Sequence, residues 1–401
     1  MTSKSAKATA PSHSHRICFV APFGLRMKGT VRARTLPLAR ELAKLGHAVC
    51  VVIPPWDSPE DAGKEWTDGK VRIVNVDLRG GLPLILARML AEMRRFRPTV
   101  LHIVKPRAHA GLVQWLAWQS RRAVGRPDLR IVLDVDDWEQ AWEDVVDYPR
   151  PLARFLAWQE EWGIRHADAI TAASRWLTER VRHMAPGTPV LYLPNGVDVA
   201  DVPLPADESA VGGASGNAPT VLLFSRFVEV DPAWMGELWA HLQKAVPGVR
   251  LLVAGQAIAP HLQDAMRVAI EAQSQSSARV EWLGYVDPPR MDAMLAQVGC
   301  VIFPAAEIPL NQAKCSVRLA TTLTAGLPVV ASAVGEQVSY GGDGAARLVA
   351  ADASPADFAQ AVADLLAEPG DRVALAAQAR RRMAERYSWE ILGRRLHDFY
   401  A

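Results

Sequence analysis

The sequence predicts an α/β protein made of two doubly wound, Rossmann-like domains that face each other across a cleft. Short apolar runs alternate with longer stretches of helical periodicity along most of the chain, which is the pattern of βαβ units and a parallel sheet. This alternation is interrupted at residues 200–219, which are rich in Pro, Gly, Ser and Ala, and then starts again. The interruption predicts a linker between two domains of the same type.

Size and composition agree with two soluble domains. The chain has 401 residues, of which 50% are hydrophobic and 22% charged, so each domain is large enough to bury a core. The net charge of +2 gives no overall field that would attract nucleic acid, and no nucleic-acid partner is expected. The four cysteines are scattered along the chain and are predicted to be reduced thiols.

The elements divide the chain as follows. The first fifteen residues are polar and are predicted to be disordered, residues 16–200 form the first domain, 201–218 the linker and 219–385 the second domain. Predicted strands of the first domain are Ile17–Phe23, Ala48–Pro55, Val71–Val76, Thr99–Val104, Arg130–Val135, Asp168–Ser174 and Val190–Asn195. Those of the second are Thr220–Ser225, Val249–Gly255, Val280–Val286, Cys300–Pro304 and Pro328–Ser332.

The loop after the first strand is a candidate site for an anion or a sugar. Gly24 and Gly29 bracket it, and Thr30 is positioned to cap a helix that runs to about Leu45. The glycine spacing matches neither the dinucleotide fingerprint nor the Walker loop, which argues against a nicotinamide cofactor or an ATPase cycle. A plain turn from strand to helix explains the pattern equally well.

Two further segments of the first domain follow strands and carry polar side chains. Lys105 and His109 follow the fourth strand, where an ammonium can hold a hydroxyl or phosphate and an imidazole can move a proton. Asp136 and Asp137 follow the fifth strand. Because the acids of this segment do not converge, we expect no metal there. Asp136 or Asp137 is a candidate ligand for an acceptor hydroxyl, and a helix cap with Glu139 nearby is the alternative.

In the second domain, positive side chains gather at strand ends. Arg226 ends its first strand, and Lys314 and Arg318 lie four residues apart around Ser316, at the start of a helix. A helix N-terminus with such cations suits a diphosphate, because free amides, the helix dipole and full charges act together. Glu336 lies in a glycine-rich loop after a later strand, where a sugar ring has room to approach the backbone.

Several motifs, taken in order, resemble those of glycosyltransferase family four, retaining enzymes with the GT-B fold. They are PNGVD (Pro194–Asp198), the strand ending at Arg226, VEWLGYV, NQAKCSVRL, AGLPVVAS and the closing RYSWEILGRRLHDFY. The similarity spans about Arg16 to Tyr400, and HIVKPRAHAG and LDVDDWE are similar to a bacterial subgroup. The resemblance implies a nucleotide-sugar donor in the second domain, an acceptor in the first, and a segment 386–401 that packs back on the first domain.

The resemblance also implies roles for the candidate residues. Arg226 and Lys314 would bind the donor diphosphate and stabilise it as it leaves, in place of a metal ion, so neither a metal nor another cofactor is expected. The remaining candidates on the donor side are Gly24, Gly29, Gly284, Tyr285, Val286, Ser316, Arg318 and Glu336. Those on the acceptor side are Lys105, His109, Asp136 and Asp137, of which His109 and Asp137 are also candidate catalytic groups.

The sequence departs from the family pattern at three places. Ala313 and Thr321 stand where the family usually has two glutamates, and Glu229 and Asp231 appear where a lysine usually follows the arginine of the strand. The predicted activity is retaining transfer of a hexosyl group from a UDP- or GDP-sugar to a hydroxyl acceptor. The departures leave open a nucleotide-sugar-binding protein of weak or no activity, and an epimerase or phosphorylase of the same fold is the other alternative.

The expected location is cytoplasmic. The N-terminus lacks the apolar run of a secretory signal, and no window reaches the length of a membrane-spanning helix. The segment Leu82–Pro98 has Leu and Met on one face and several arginines near its end. Such a helix can lie on an anionic membrane, although a surface helix packed on the sheet has the same pattern.

Overall fold

A computed structural model describes residues 14–25, 29–124, 128–143, 145–199, 218–274, 279–286, 294–295 and 297–401. It contains two separate β-sheets with helices on both faces, which confirms the predicted fold class. The predicted linker at 201–218 lies outside these residues except for Ala218, as does the predicted disordered segment up to His13. Ser14 and His15 of that segment are ordered, since His15 accepts a hydrogen bond from the amide of Ala48 (3.1 Å).

The first sheet has eight strands in the order β3-β4-β2-β1-β5-β6-β7-β8, and all neighbours are parallel except β3 and β4. The strands are β1 Arg16–Val20, β2 Ala48–Ile53, β3 Glu65–Asp68, β4 Val71–Asn75, β5 Val100–Val104, β6 Arg130–Val135, β7 Ala169–Ala172 and β8 Val190–Tyr192. The helices of this domain are Leu36–Lys44, Gly81–Phe96, Ala108–Val124, Arg150–Arg165 and Arg175–Met184, with shorter helical turns at Val31–Thr35, Pro59–Asp61 and Glu139–Trp142.

The second sheet has six parallel strands in the order β11-β10-β9-β12-β13-β14. They are β9 Thr220–Phe224, β10 Arg250–Ala254, β11 Arg279–Gly284, β12 Cys300–Phe303, β13 Val329–Ser332 and β14 Arg347–Val349. The helices that follow the linker are Pro232–Ala245, Pro260–Ala272, Pro309–Ala313, Val317–Thr324, Glu336–Gly341, Pro355–Ala367, Pro369–Tyr387 and Trp389–Tyr400.

Two edge strands are absent from the sequence prediction. β3 and β14 have four and three residues, and neither carries a continuous apolar run. Short strands at a sheet edge are half solvated and leave little hydrophobic signal. The predicted cap at Thr30 is also wrong. Thr30 has helical backbone angles and makes no capping hydrogen bond, because a helical turn at Val31–Thr35 runs directly into the helix Leu36–Lys44.

Each sheet has one point at which the strand order reverses. In the first sheet β1 lies between β2 and β5, and in the second sheet β9 lies between β10 and β12. Ligands of open α/β sheets collect beyond the carboxyl ends of the strands at such points. We therefore expect a ligand-binding site at the loops after β1, β5, β9 and β12.

The final helix leaves the second sheet and packs on the first. Its apolar face, which includes the fully buried Leu392 and Leu396, joins the core formed by β1, β2 and the helix Leu36–Lys44. The chain passes between the sheets at Val197 and again at Ser388, and the two passages form a parallel bridge. Gly196 is required here, because a Cβ at this position would lie 2.7 Å from the ring of Trp389.

Candidate active site

A cavity of about 530 Å³ opens between the two sheets, at the points where their strand orders reverse. Most of its lining residues follow the carboxyl ends of strands from both domains. They are Gly29, Thr30, Ala33, Arg34, Lys105, Asp136, Asp137, Trp142, Asn195, Phe224, Ser225, Arg226, Gly255, Gln256, Tyr285, Val286, Lys314, Cys315, Ser316, Val317 and Arg318.

Three cations from the second domain lie together on one wall. Arg226 follows β9, while Lys314 and Arg318 flank the start of the helix Val317–Thr324. Ser316 caps this helix, since its hydroxyl accepts a hydrogen bond from the amide of Leu319 (3.2 Å). The wall thus combines full positive charges with the amino end of a helix, an arrangement that favours anions.

Few protein groups compensate the positive charge of Lys314. Its ammonium lies 3.7 Å from a carboxylate oxygen of Glu229 and 5.2 Å from the centre of the Trp142 ring. Among the described residues it has no hydrogen-bond partner. Burial lowers the pKa of Lys314, whereas the charges of Glu229 and Asp137 act in the opposite direction. An anion entering the cavity would supply the missing acceptor.

Arg226 is exposed within the cavity and lies close to like charge. Burial by the surrounding protein lowers the pKa of its guanidinium, and the charge of Arg318 adds to this effect. Arg318 is tied down, because it donates to the carbonyl of Phe224 (3.1 Å) and to Glu229 (2.8 Å). Of the two arginines, Arg226 is therefore the freer to reach a ligand.

On the opposite wall, Lys105 is held by carboxylates. Its ammonium lies 3.0 Å from Asp136 and 2.9 Å from Glu139, and Glu139 also pairs with Arg107. Burial would lower the pKa of Lys105, but Asp136 and Glu139 outweigh it and raise the pKa. Lys105 lines the cavity as predicted, and its ammonium is paired with Asp136 and Glu139; its predicted role in holding a hydroxyl or phosphate stays a prediction.

Asp137 lies beside Lys105 on this wall, between the two domains. One carboxylate oxygen accepts from the amide of Trp138 (3.0 Å) and the other from the indole of Trp142 (2.8 Å). Burial raises the pKa of Asp137 to about 6; Lys105 opposes the rise and Glu139 adds to it. The pKa of Asp137 therefore lies well above that of an ordinary aspartate, while the carboxylate is still mostly ionised at neutral pH.

The structure brings most predicted site residues together and leaves some outside. Gly29, Tyr285, Val286, Ser316 and the predicted lysines, arginines and aspartates line the cavity. Gly284 ends β11 with a positive φ of 62° and turns the chain toward Tyr285, without lining the cavity itself. Gly24, His109 and Glu336 also lie outside the lining.

The contacts of these last residues explain their positions. Gly24 donates its amide to Asp57 (2.6 Å), so this loop amide is already satisfied. His109 lies on the helix Ala108–Val124, and burial lowers its pKa, which favours a neutral side chain. Glu336 is 2% exposed and accepts from the amide of Arg175 (2.6 Å) and the hydroxyl of Tyr192 (2.5 Å). It joins the two domains instead of facing the cavity.

Two other residues of the cavity, Arg34 and Asn195, are not among the candidates that the sequence indicates. Arg34 forms a fully buried bidentate pair with Asp134 (2.7 Å), and its Nη1 lies 3.3 Å from the amide oxygen of Asn195. Asn195 in turn donates to the carbonyl of Cys315 in the second domain (2.6 Å). An arginine in the short helical turn Val31–Thr35 gives no sequence signal of this kind. The PNGVD motif did mark Asn195, though not its contact with the second domain.

At the two positions where the family usually has glutamates, this chain has one buried and one exposed residue. Ala313 is fully buried and packs with the core of the first domain, while Thr321 is exposed and donates its hydroxyl to backbone carbonyls of its own helix. Neither residue supplies an acceptor to a ligand. Among the described residues there is no group of three or more His, Cys, Asp or Glu that could hold a metal ion.

Comparison with known proteins gives matches along nearly the whole chain. Residues 29–196 match the family model of a glycosyl transferase 4-like domain, and residues 218–368 match that of glycosyl transferases group 1. The chain is 25% identical to a phosphatidyl-myo-inositol mannosyltransferase of Mycolicibacterium smegmatis over 396 residues, covering 96% of this chain and 93% of the relative. It is 25% identical to a D-inositol 3-phosphate glycosyltransferase of Actinosynnema mirum over 325 residues, covering 78% and 75%.

Solved structures agree on the fold. Sucrose-phosphate synthase from Thermosynechococcus elongatus superposes with a TM-score of 0.72 at 17% identity, covering 96% of this chain and 98% of that one. Anabaena HepE, solved in complex with UDP-glucose, superposes with a TM-score of 0.65 at 15% identity, covering 96% and 99%. With both domain matches and this fold, the chain belongs to the family-four type of glycosyltransferases with the GT-B fold.

Proposed function

We propose that this glycosyltransferase moves a hexosyl group from a UDP- or GDP-sugar to a hydroxyl acceptor, with retention at the anomeric carbon and without a metal ion. The observation that supports this most is the wall formed by Arg226, Lys314 and Arg318 at the amino end of a helix. The bond from the anomeric carbon to the diphosphate breaks with its electron pair on the diphosphate. Positive groups fixed at that place stabilise the leaving charge and need no rearrangement.

The donor would lie against the second domain. Arg226 and Lys314 would contact the diphosphate, and Tyr285 and Val286 at the end of β11 would face the base. Tyr285 is 71% exposed, so an aromatic ring is available for stacking. Gly255, whose φ is 134°, lets the loop after β10 pass close to Ser225, where a Cβ would lie 1.8 Å from the Ser225 carbonyl.

The acceptor would lie against the first domain, near Asp136 and Asp137. Two relatives carry names that contain an inositol group, phosphatidyl-myo-inositol mannosyltransferase and D-inositol 3-phosphate glycosyltransferase. Inositol-containing acceptors therefore belong in the first panel to be tested. The ionised carboxylate of Asp137 can accept a hydrogen bond from such a hydroxyl.

The test combines binding with product analysis. Thermal-shift assays with a panel of UDP-, GDP- and ADP-sugars should show stabilisation by one donor class, since a bound ligand raises the melting temperature. The purified protein is then incubated with that donor and a panel of inositol, glycan and lipid acceptors, and NMR reports the anomeric configuration of the product. An adduct of inverted configuration, or activity lost with chelator and regained with divalent metal, would refute the corresponding part of the proposal.

The same assays separate the alternatives. An epimerase converts the donor sugar and yields no acceptor adduct, and a phosphorylase requires free phosphate. A protein that only binds would shift its melting temperature with a donor and neither hydrolyse nor transfer it. Each outcome differs from acceptor-dependent release of a nucleoside diphosphate.

We further propose peripheral contact with an anionic membrane. The helix Gly81–Phe96 buries Ile85, Met89 and Met93 in the sheet, as a packed surface helix does, but leaves Leu82 and Leu84 at 46% and 49% exposure. Exposed apolar side chains beside arginines favour an anionic lipid surface. No helix among the described residues has the length and apolar character needed to cross a bilayer.

Sedimentation with vesicles tests this contact. Wild-type protein should sediment with vesicles containing phosphatidylglycerol and less with pure phosphatidylcholine, and the double variant Leu82→Ser and Leu84→Ser should sediment less than wild type. The variant Val268→Ser serves as control, because Val268 is also exposed (68%) but lies on the second domain. Equal sedimentation with and without anionic lipid would eliminate the contact.

A further inference from the structure

The carboxylate of Glu229 is enclosed by the loop that follows β9. One of its oxygens accepts from the hydroxyl of Ser225 (2.7 Å) and from the amides of Arg226 (3.1 Å) and Val228 (3.1 Å). The side chain is 13% exposed. A hydroxyl and two amides of the same loop around one oxygen form the kind of cradle in which proteins hold an anion.

The other oxygen of Glu229 faces the cationic wall. It accepts from Arg318 (2.8 Å) and lies 3.7 Å from the ammonium of Lys314. A small cavity of about 40 Å³ is lined by all three of these residues and by Ser316, next to the larger cleft. The carboxylate therefore neutralises cations that would otherwise face a bound diphosphate with their full charge.

Glu229 lowers the net positive charge of the cationic wall. Arg226, Lys314 and Arg318 contribute three positive charges to this wall, and Glu229 contributes one negative charge, which leaves the wall itself with a net charge of two. The carboxylate of Asp137 acts on Arg226 and Lys314 from the opposite wall and is the same in all variants compared below. Burial would raise the pKa of Glu229, but Arg318 and Lys314 outweigh burial and hold this pKa far below its usual range. The carboxylate is consequently ionised across the working pH range.

We propose that Glu229 is an internal counter-ion that matches the donor wall to the charge of a nucleotide-sugar diphosphate. This inference rests on the proposed function and concerns the same site. A diphosphate esterified at both ends carries two negative charges, and the nucleoside diphosphate released from it carries close to three near neutral pH. A wall of net charge two binds the donor and holds the more highly charged product less tightly than three unopposed cations would. Glu229 acts through Lys314 and Arg318 and is a positioning residue.

The experiment measures binding of UDP, GDP and inorganic pyrophosphate by calorimetry to wild type and three variants of the full chain. Glu229→Gln removes the charge and keeps an acceptor oxygen, Glu229→Asp keeps the charge, and Glu307→Gln removes a charge from an exposed side chain that contacts Gln312 (3.3 Å). We expect Glu229→Gln to bind pyrophosphate about tenfold more tightly than wild type. Glu229→Asp and Glu307→Gln should stay within about threefold of wild type.

Two further readouts distinguish charge from structure. The affinity of Glu229→Gln should fall more steeply with ionic strength than that of wild type, because salt screens a larger net charge. In turnover with the donor found above, Glu229→Gln should show a lower KM together with a lower kcat, since release of the nucleoside diphosphate becomes slower.

The outcomes are distinguishable. If wild type binds none of the three probes, the proposed function fails and this inference fails with it. If wild type binds but Glu229→Gln binds equally or more weakly, or if Glu229→Asp gains as much affinity as Glu229→Gln, only the counter-ion role is overturned. Loss of cooperative melting in Glu229→Gln alone would likewise overturn it, since the carboxylate would then be required to hold the loop together.

Discussion

Lys314 illustrates how single residues acquire their properties in this cleft. Its ammonium has been removed from most of its water, and its neighbours are the ring of Trp142 and the carboxylate of Glu229. A charge in such surroundings interacts more strongly with a ligand than a solvated one, because the effective dielectric constant is lower. Arg226, in contrast, is exposed within the cavity, which it enters from the opposite domain to Trp142.

The first prediction concerns these two cations. Lys314→Ala and Arg226→Ala should each reduce kcat by roughly two to three decades, since removing one preplaced group that stabilises developing charge costs about 2.7–4 kcal/mol. Steady-state rates with the identified donor measure the loss. Lys244→Ala, on the exposed end of the helix Pro232–Ala245, is the matched control. Rates near those of wild type in both cleft variants would remove the diphosphate assignment.

The second prediction concerns Asp137, whose pKa burial raises to about 6 in the free protein. If its ionised form binds the acceptor hydroxyl, kcat/KM should fall by about tenfold per pH unit below pH 6. Asp137→Asn should lower kcat/KM at pH 8 and abolish the acidic limb of the profile, while its amide oxygen can still accept from Trp142. The exposed Asp147→Asn should keep the limb. A limb that persists in Asp137→Asn belongs to another group.

At the scale of elements, the short helical turn Glu139–Trp142 carries much of the acceptor wall. It is fixed to the helix Arg150–Arg165 by Glu160, which is fully buried and accepts from the amides of Glu139 (2.8 Å) and Gln140 (3.2 Å). The turn places Trp142 against Lys314 and orients Asp137. The site therefore depends on the packing of a helix that does not itself line the cavity.

This attachment gives the third prediction. Burial raises the pKa of Glu160 to about 8 from an ordinary value of 4.5, and the charge of Glu139 adds to the rise. The native state thus holds a proton that the unfolded state has released, so its stabilising contribution is complete below pH 4.5 and is lost as the pH rises to about 8. The side chain in Glu160→Gln does not titrate. At pH 5 the free energy of unfolding of this variant should be about 1 kcal/mol lower than that of wild type, because its contact with Gln140 is weaker.

As the pH rises to 9, the stability of Glu160→Gln should approach or exceed that of wild type. Chemical denaturation at pH 5, 7 and 9 measures the free energy of unfolding. The neighbouring Glu161→Gln, whose carboxylate pairs with Arg165 at the surface (3.0 Å), should run parallel to wild type. A constant difference between Glu160→Gln and wild type at all three pH values would contradict the assigned titration.

At the scale of the whole molecule, the two domains are joined by buried polar contacts and by the final helix, which follows the second domain along the chain and packs on the first. Tyr340 donates to the carbonyl of Asn195 (2.6 Å), and Glu336 bonds Tyr192 and the amide of Arg175. These bonds fix the distance between the two walls of the cleft.

The fourth prediction concerns the final helix, Trp389–Tyr400. Leu392→Ala should destabilise the protein by about 2–5 kcal/mol, because this fully buried side chain fills the core of the first domain. Thermal melting and hydrogen exchange of β1 and β2 measure the effect, which should appear in the first domain before the second. Arg394→Ala, on the exposed face of the same helix, should change stability by less than about 0.5 kcal/mol. A loss of stability confined to the second domain would show that the helix stabilises that domain instead.

The sequence by itself determined the fold class, because buried parallel strands and amphipathic helices leave a periodic apolar pattern that local residues fully specify. It also placed Arg226, Lys314, Asp136 and Asp137 after strand ends, and the parallel topology brought all four to one cleft. Within each domain the position along the chain was sufficient, since carboxyl ends of parallel strands share one edge of a sheet, whereas the approach of the two pairs to each other depends on how the two sheets face.

Only the tertiary structure decided what each charged group contacts. Glu336, predicted to lie near the donor, instead contacts the other domain, Lys105 lines the cavity but is paired with carboxylates, and Glu229 faces Lys314 and Arg318. Trp142 meets Lys314 from a distant part of the chain. The physical reason is that periodicity records which face of an element is buried, whereas the partner of a buried charge is fixed by how distant elements pack against one another.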